Sequence, residues 1–200
     1  MRCRRGAQAV AGEDGQYLPL LGYDISPQAI AMCESRANER LQFKLADISQ
    51  EEGTFFELIL VLDVIEHVED YFGFLNGIRA KSDLKIFHFP LDLSVQAVLR
   101  KRGLLTRREL YGHIQYFTKE TALETLKDVG YELLDYFYTP RCIELAKQTI
   151  QKIAVLPRKI CFAIHQDLTV RVLGGYSLWF WPDKRSLAHL LLSQRGYHSG

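Results

Sequence analysis

Apolar and polar positions along this chain fall into blocks whose period switches repeatedly between that of a strand and that of a helix. Leu20 to Ile25 is a short apolar-rich run, and Ser26-Pro27 then opens a helix, with serine as the N-cap and proline at the first helical position. Ile30, Cys33, Ala37 and Leu41 recur at helical spacing, which predicts one buried stripe on that helix. Phe43 to Ala46 reads as the next strand. Phe55 to Leu62 is almost wholly apolar and fits a central strand of a parallel sheet, covered on both faces. Leu84 to Phe89 repeats that pattern and stops at Pro90, while Ile65 to Ile78 reads as a short helix followed by a connection.

Thr118 caps a further helix, with Ala122, Leu126 and Val129 on its apolar side and Gly130 placed as the left-handed residue that ends it. A strand from Tyr131 to Tyr138 follows. Two amphipathic stretches, Ile143 to Ala154 and Lys159 to Leu173, suit either a lid or an oligomer contact, and an aromatic strand, Tyr176 to Trp181, closes at Pro182. Tyr131, Tyr136, Phe137, Tyr138, Trp179, Phe180 and Trp181 are expected to pack the edge of the sheet. Repeated alternation of strand and helix argues an α/β fold, Rossmann-like and doubly wound around a mostly parallel sheet. Residues 1–182 form the one expected domain, with an atypical start at 1–18 and a tail at 183–200.

Composition narrows the class. At 200 residues, with 48% apolar and 24% charged side chains, the chain is globular and outside the disordered, collagen-like and coiled-coil classes. A net charge of +1 offers no bulk field for nucleic acid, so no nucleic-acid partner is expected. Cys3, Cys33, Cys142 and Cys161 form no C-x-x-C pair, which argues against a zinc site or a disulfide framework and for reduced thiols in a cytoplasmic setting. No apolar run approaches the ~20 residues of a membrane span. The basic start, Met1 to Gly6, lacks the apolar stretch of a secretory signal.

Charge is uneven beneath the net value. Leu45 to Ile78 holds no lysine or arginine but carries Asp47, Glu51, Glu52, Glu57, Asp63, Glu66, Glu69 and Asp70, whereas Arg100 to Arg108 is basic. In open α/β sheets ligands lie outside the carboxyl ends of the strands. Three acids stand at such ends: Asp24 before a capped helix, where it can accept both hydroxyls of a ribose, then Asp47 and Asp63. Each alone is more often a turn or cap residue, but three in succession point to a site.

The stretches GYDISPQAI (Gly22 to Ile30), LADIS (Leu45 to Ser49), FELILVLDVIEHVED (Phe56 to Asp70) and HIQYFTKETALETLKDVGYELLDY (His113 to Tyr136) resemble the class I S-adenosylmethionine-dependent methyltransferases of small-molecule type. The resemblance implies S-adenosylmethionine as cofactor, held at the ribose by Asp24 with Ile25, at the adenine by Asp47 with Ile48, and at the methionine end by Leu62 with Asp63. It implies methyl transfer to a small-molecule or lipid-like acceptor, and an antiparallel last strand, Tyr176 to Trp181. It also implies a first strand and a G-x-G-x-G loop ahead of Gly22. Ala11-Gly12-Glu13-Asp14-Gly15 follows no apolar strand, so the start reads as truncated or rearranged, the first strand as missing or degraded, and the cradle for the cofactor as incomplete. Weak cofactor binding and self-association through an unpaired strand edge are therefore expected. The alternative to an active enzyme is a degenerate copy of the fold that acts through partner contacts.

His67 is the candidate catalytic base, lying with Asp63 and Glu66 at i, i+3 and i+4 so that one helical turn presents all three. A divalent-metal reading of the same three residues is weighed, but the spacing is not H-E-x-x-H and no metal is expected. His88 reads as a satisfied strand histidine, and His113 with Tyr116 as lining for an acceptor pocket.

Overall fold

The computed structural model describes residues 19–132, 135–140 and 155–181. The chain divides into two compact units, Met1–Phe55 with His189–Gly200 and Phe56–Ala188. The first amphipathic stretch (Ile143 to Ala154), the atypical start and the tail lie outside the described residues. Among the described residues no helix is long and apolar enough to cross a membrane.

In the first unit, β1 (Leu20–Asp24) pairs in parallel with β2 (Leu41–Leu45), in register from Leu20 opposite Leu41 to Asp24 opposite Leu45. Helix α1 (Pro27–Cys33) connects them, and the Ser26 hydroxyl caps it by accepting from the Ala29 amide at 3.2 Å. The predicted stripe through Ala37 and Leu41 is not formed. The helix ends at Cys33 and passes into a single 3-10 turn, Glu34–Arg36. Asn38 explains the early stop: its side-chain oxygen accepts from the amides of Arg40 and Leu41, at 2.9 and 3.1 Å, and turns the chain into β2. Leu41 is a strand residue, and α1 itself buries none of its side chains.

The second unit holds a four-stranded sheet in the order β3-β4-β6-β5. Strands β3 (Leu58–Leu62) and β4 (Leu84–Leu91) are parallel, whereas β6 (Tyr176–Trp181) runs antiparallel to β4 and to β5 (Asp135–Pro140). The antiparallel last strand is as expected. The central place expected for the Phe55–Leu62 run is not what is observed: among the described residues β3 pairs only with β4, and Leu60 is 48% exposed. Strands β4 and β6 are the interior ones, and β4 passes through Pro90 to Leu91. Proline fits there because β3 has already ended opposite His88, so no described strand calls for a donor on that side of Pro90. The Ile65–Ile78 segment likewise inverts the predicted order. A 3-10 turn, Ile65–His67, comes first, and α2 (Tyr71–Arg79) follows behind the Asp70 cap.

Two helices, α3 (Val95–Leu99) just before the basic run and α4 (Gly103–Tyr111) overlapping it, have no counterpart in the periodicity. Gly103 starts α4 in a position where a Cβ would lie 2.1 Å from the Ala97 carbonyl oxygen. Gly103→Ala is expected to destabilise the chain by about 1–3 kcal/mol, the cost of forcing a backbone shift. Urea denaturation measures it, and an unchanged midpoint would show that Arg100–Arg102 yields freely.

Helix α5 (Lys119–Asp128) forms as predicted, with a Thr118–Thr121 capping box, buried Ala122 and Leu126, and Gly130 at φ +82°. The strand after it starts four residues late. Tyr131 instead donates its hydroxyl to the Leu75 carbonyl at 2.6 Å and packs edge-on against Phe87. The second amphipathic stretch is two helices, α6 (Val155–Ile164) and α7 (Gln166–Leu173), broken at His165, which caps α7. Lys119 and the Tyr138 hydroxyl both bond Asp167, tying α5 and β5 to α7 and holding the Asp167 carboxyl below its ordinary value. Phe137 and Trp179 stack with ring planes 3° apart, as the aromatic edge reading requires.

Candidate functional site

The strand-end acids fall in both units. In the first, Asp24 ends β1 and its carboxylate accepts from the Ser26 amide at 2.8 Å, while Ile25 beside it is 75% exposed. Asp47 follows β2 and caps the 3-10 turn Ile48–Gln50 by accepting from the Ser49 amide at 2.8 Å. Both acids thus accept nearby backbone amides, and the Asp24 side chain remains exposed at the carboxyl end of a parallel strand.

In the second unit Asp63 directly follows Leu62, the last residue of β3, and takes φ +53°, the one positive φ on a non-glycine among the described residues. That conformation costs about 1–2 kcal/mol for most residues and less for aspartate. The Asp63 carboxylate is held 2.8 Å from His88 Nδ1, so His88 is the satisfied strand histidine expected of it. The predicted helical turn presenting Asp63, Glu66 and His67 together is not formed. The 3-10 turn begins after Asp63, and the strand pair draws Asp63 toward β4 while Glu66 and His67 turn toward another segment.

That segment is His113–Gln115. The Glu66 carbonyl accepts from the amides of Ile114 and Gln115, at 2.8 and 3.1 Å, which pins it to the turn after β3. Glu66 is fully buried and His113 nearly so. Glu66 Oε1 lies 3.9 Å from His67 Nε2 and 4.0 Å from His113 Nε2, and the two imidazoles meet edge to face at 5.0 Å. His67 Nδ1 is 3.1 Å from the Gly112 carbonyl oxygen. A carbonyl only accepts, so that nitrogen carries a proton, and in the neutral ring Nε2 presents the lone pair. His113 Nδ1 bonds the buried carboxylate of Asp92, which Arg107 Nε approaches at 3.3 Å on its other oxygen.

Tyr116, grouped with His113 from the sequence, donates instead to the Leu104 carbonyl at 3.2 Å. Asp92 was missed although a signal existed: it follows the end of β4 as Asp63 follows the end of β3. Ending the strand at Pro90 hid it. The cluster therefore lies beyond the carboxyl ends of two parallel neighbours, where ligands of α/β sheets are found.

Residues 3–80 match the methyltransferase-domain family. This is the class I S-adenosylmethionine-dependent methyltransferase fold. The family match includes the start that the sequence marks as atypical, and Asp24, Asp47, Asp63, Glu66 and His67 all fall inside it. Among solved structures, the chain is similar to a methyltransferase of Archaeoglobus fulgidus that depends on S-adenosylmethionine, at 16% identity over 81% of this chain and 75% of that one, with a TM-score of 0.53. A methyltransferase of Mesorhizobium loti, likewise dependent on S-adenosylmethionine, is 15% identical over 84% and 82%, with a TM-score of 0.51. The magnesium protoporphyrin IX methyltransferase of Synechocystis PCC 6803, solved with bound SAH, is 21% identical over 60% of this chain, with a TM-score of 0.46. The chain spans 57% of that protein's length. No curated protein matches the sequence. The methyltransferase fold accounts for the parallel strands and the reversed last strand, and it leaves the acceptor open.

Proposed function

We propose that the chain transfers a methyl group from S-adenosylmethionine to a small-molecule or lipid-like acceptor in the cytoplasm. The observation that carries this reading is the buried Glu66–His113–Asp92 cluster, with His67 at its margin, beyond the carboxyl ends of β3 and β4. The exposed carboxylate of Asp24 and the exposed Ile25 suit a ribose and a ring, so Asp24 with Ile25, Asp47 with Ile48, and Leu62 with Asp63 are the residues proposed to hold the cofactor.

When bound, the cofactor supplies an electrophilic methyl on a sulfonium centre. His67 takes the acceptor's proton at Nε2, the nitrogen that accepts in the neutral ring when Nδ1 donates to Gly112. Glu66 stabilises the imidazolium so formed from 3.9 Å, and Gly112 fixes the ring's tautomer. Burial of Glu66 and His113 keeps water from one side of the reaction. Self-association through the outer edge of β3 belongs to the same proposal, since that edge meets no partner among the described residues.

Calorimetric titration with S-adenosylhomocysteine tests the reading. Saturable binding is expected, and Asp24→Ala should weaken it by about 1.5–3 kcal/mol, the value of a hydrogen bond to a charged group. Equal affinity in the variant would remove Asp24 from the site. No binding by the intact chain would favour the degenerate, non-catalytic alternative.

A further inference from the structure

We propose that Glu66, His67 and His113 form a site for one divalent transition-metal ion, with Glu66 Oε1 and the Nε2 atoms of both histidines as ligands. The ligand atoms all lie within 4.8 Å of one another. The separations from Glu66 Oε1, 3.9 and 4.0 Å, are too long for hydrogen bonds. They approach the distance between two ligands on one ion, since bonds of about 2.0–2.1 Å in tetrahedral geometry set ligand atoms about 3.4 Å apart. Closing the site from these separations requires shifts of the side chains on the order of an ångström.

The orientation of the rings is the second argument. Each imidazole uses Nδ1 on an outer acceptor, the Gly112 carbonyl for His67 and the Asp92 carboxylate for His113. Both Nε2 atoms are thereby left on the side of the Glu66 carboxylate, 3.9 and 4.0 Å from its Oε1. Three acceptor atoms converging in this way is the chemistry of a cation, and the outer hydrogen bonds are those that orient metal-bound histidines. Asp92 is in turn engaged by Arg107, so the outer layer is itself fixed.

Burial differs usefully among the three. The Glu66 and His113 side chains are 1% and 2% exposed, whereas His67 is 30% exposed. Three protein ligands with one open side describe a site able to take a further ligand rather than a closed structural one. Two imidazoles and one carboxylate favour zinc, iron, manganese or cobalt over magnesium and calcium, which prefer an all-oxygen shell. The spacing rule that argues against a metal considers Asp63, and Asp63 lies at ion-pair distance from His88 instead. His113, brought in by the Glu66 carbonyl contacts, completes the set. On the methyl-transfer reading, and resting on it, the open position would hold an acceptor oxygen; the ion would then favour loss of that oxygen's proton in place of His67, whose Nε2 is taken as a ligand, and a hydroxyl compound becomes the acceptor class.

The test uses the full chain freed of metal by chelation, titrated with Zn2+ by calorimetry and with Co2+ by visible absorption. One equivalent is expected, with a Co2+ spectrum that saturates. Glu66→Gln and His67→Gln should each weaken binding about tenfold or more, and Asp92→Asn about 10- to 100-fold through loss of the outer contact. His165→Ala, at the exposed start of α7, should leave it unchanged. Absence of a saturable Co2+ spectrum, or equal affinity in Glu66→Gln, overturns the site and leaves protonated His67 as the partner of Glu66. Titration with S-adenosylhomocysteine in parallel separates the two ideas: metal without cofactor binding rejects only the methyl-transfer reading, and cofactor without metal rejects only this one.

Discussion

His113→Ala is expected to lower stability by about 3–5 kcal/mol, the cost of leaving a buried charge without its partner. Asp92 is 8% exposed and His113 is 1% exposed, so water cannot replace the lost imidazole at the carboxylate. Arg107 approaches only the other Asp92 oxygen, at 3.3 Å. Urea unfolding of the single variant and of the double variant with Asp92→Asn measures the effect. Removing the charge together with its partner should recover part of the loss. A cost below about 1 kcal/mol would show that Arg107 alone satisfies Asp92.

Phe89→Ala is expected to cost a similar amount, about 3–5 kcal/mol, for a different reason. Phe89 is wholly buried in β4, a strand flanked on both sides, and its ring meets Phe117 at 5.2 Å and Phe180 at 6.0 Å, both edge-on. It therefore joins β4 to β6 and to the segment before α5. The void left by truncation cannot be filled from the sheet, because neighbouring strands fix the backbone on either side. Thermal and urea unfolding should agree on the loss. Phe89→Leu, which keeps much of the volume, should lose less, and equal losses would assign the effect to the aromatic contacts rather than to the cavity.

How legible the fold was depended on how locally each element is determined. The helix after Thr118 was readable because its cap, its apolar face and Gly130 are all set by neighbours in sequence. The end of α1 was not readable from period alone, since Leu41 continues the helical spacing while the Asn38 side chain ends the helix. Pro90 was taken as a stop because proline disfavours strand interiors, and only the pairing shows that β3 ends opposite His88 and frees the position. The site divides in the same way. Asp24 and Asp47 stand at strand ends as read, and His67 lies by the buried cluster. Glu66 was seen only as part of a local turn, and Asp92 with His113 could not be joined to it without the Glu66 carbonyl contacts across 48 and 49 residues. Helices α3 and α4 escaped because their apolar side chains face outward: Val98, Leu99, Leu105 and Leu110 are all exposed.

Every buried apolar side chain among the described residues lies between Ile59 and Phe180, and the unit containing β1 and β2 supplies none. Among the described residues its two five-residue strands and short α1 are held by backbone ladders and caps, with no buried apolar side chain beneath them. Opening this unit therefore costs less free energy than opening the β4-centred sheet, and its amides trade hydrogen with solvent first. Any ligand gripped by Asp24 and Asp47 is then gripped by the portion of the molecule that is closed for the smallest fraction of the time. The apparent dissociation constant rises in inverse proportion to that fraction, so tightening β1 and β2 would raise affinity without touching a single contact to the ligand.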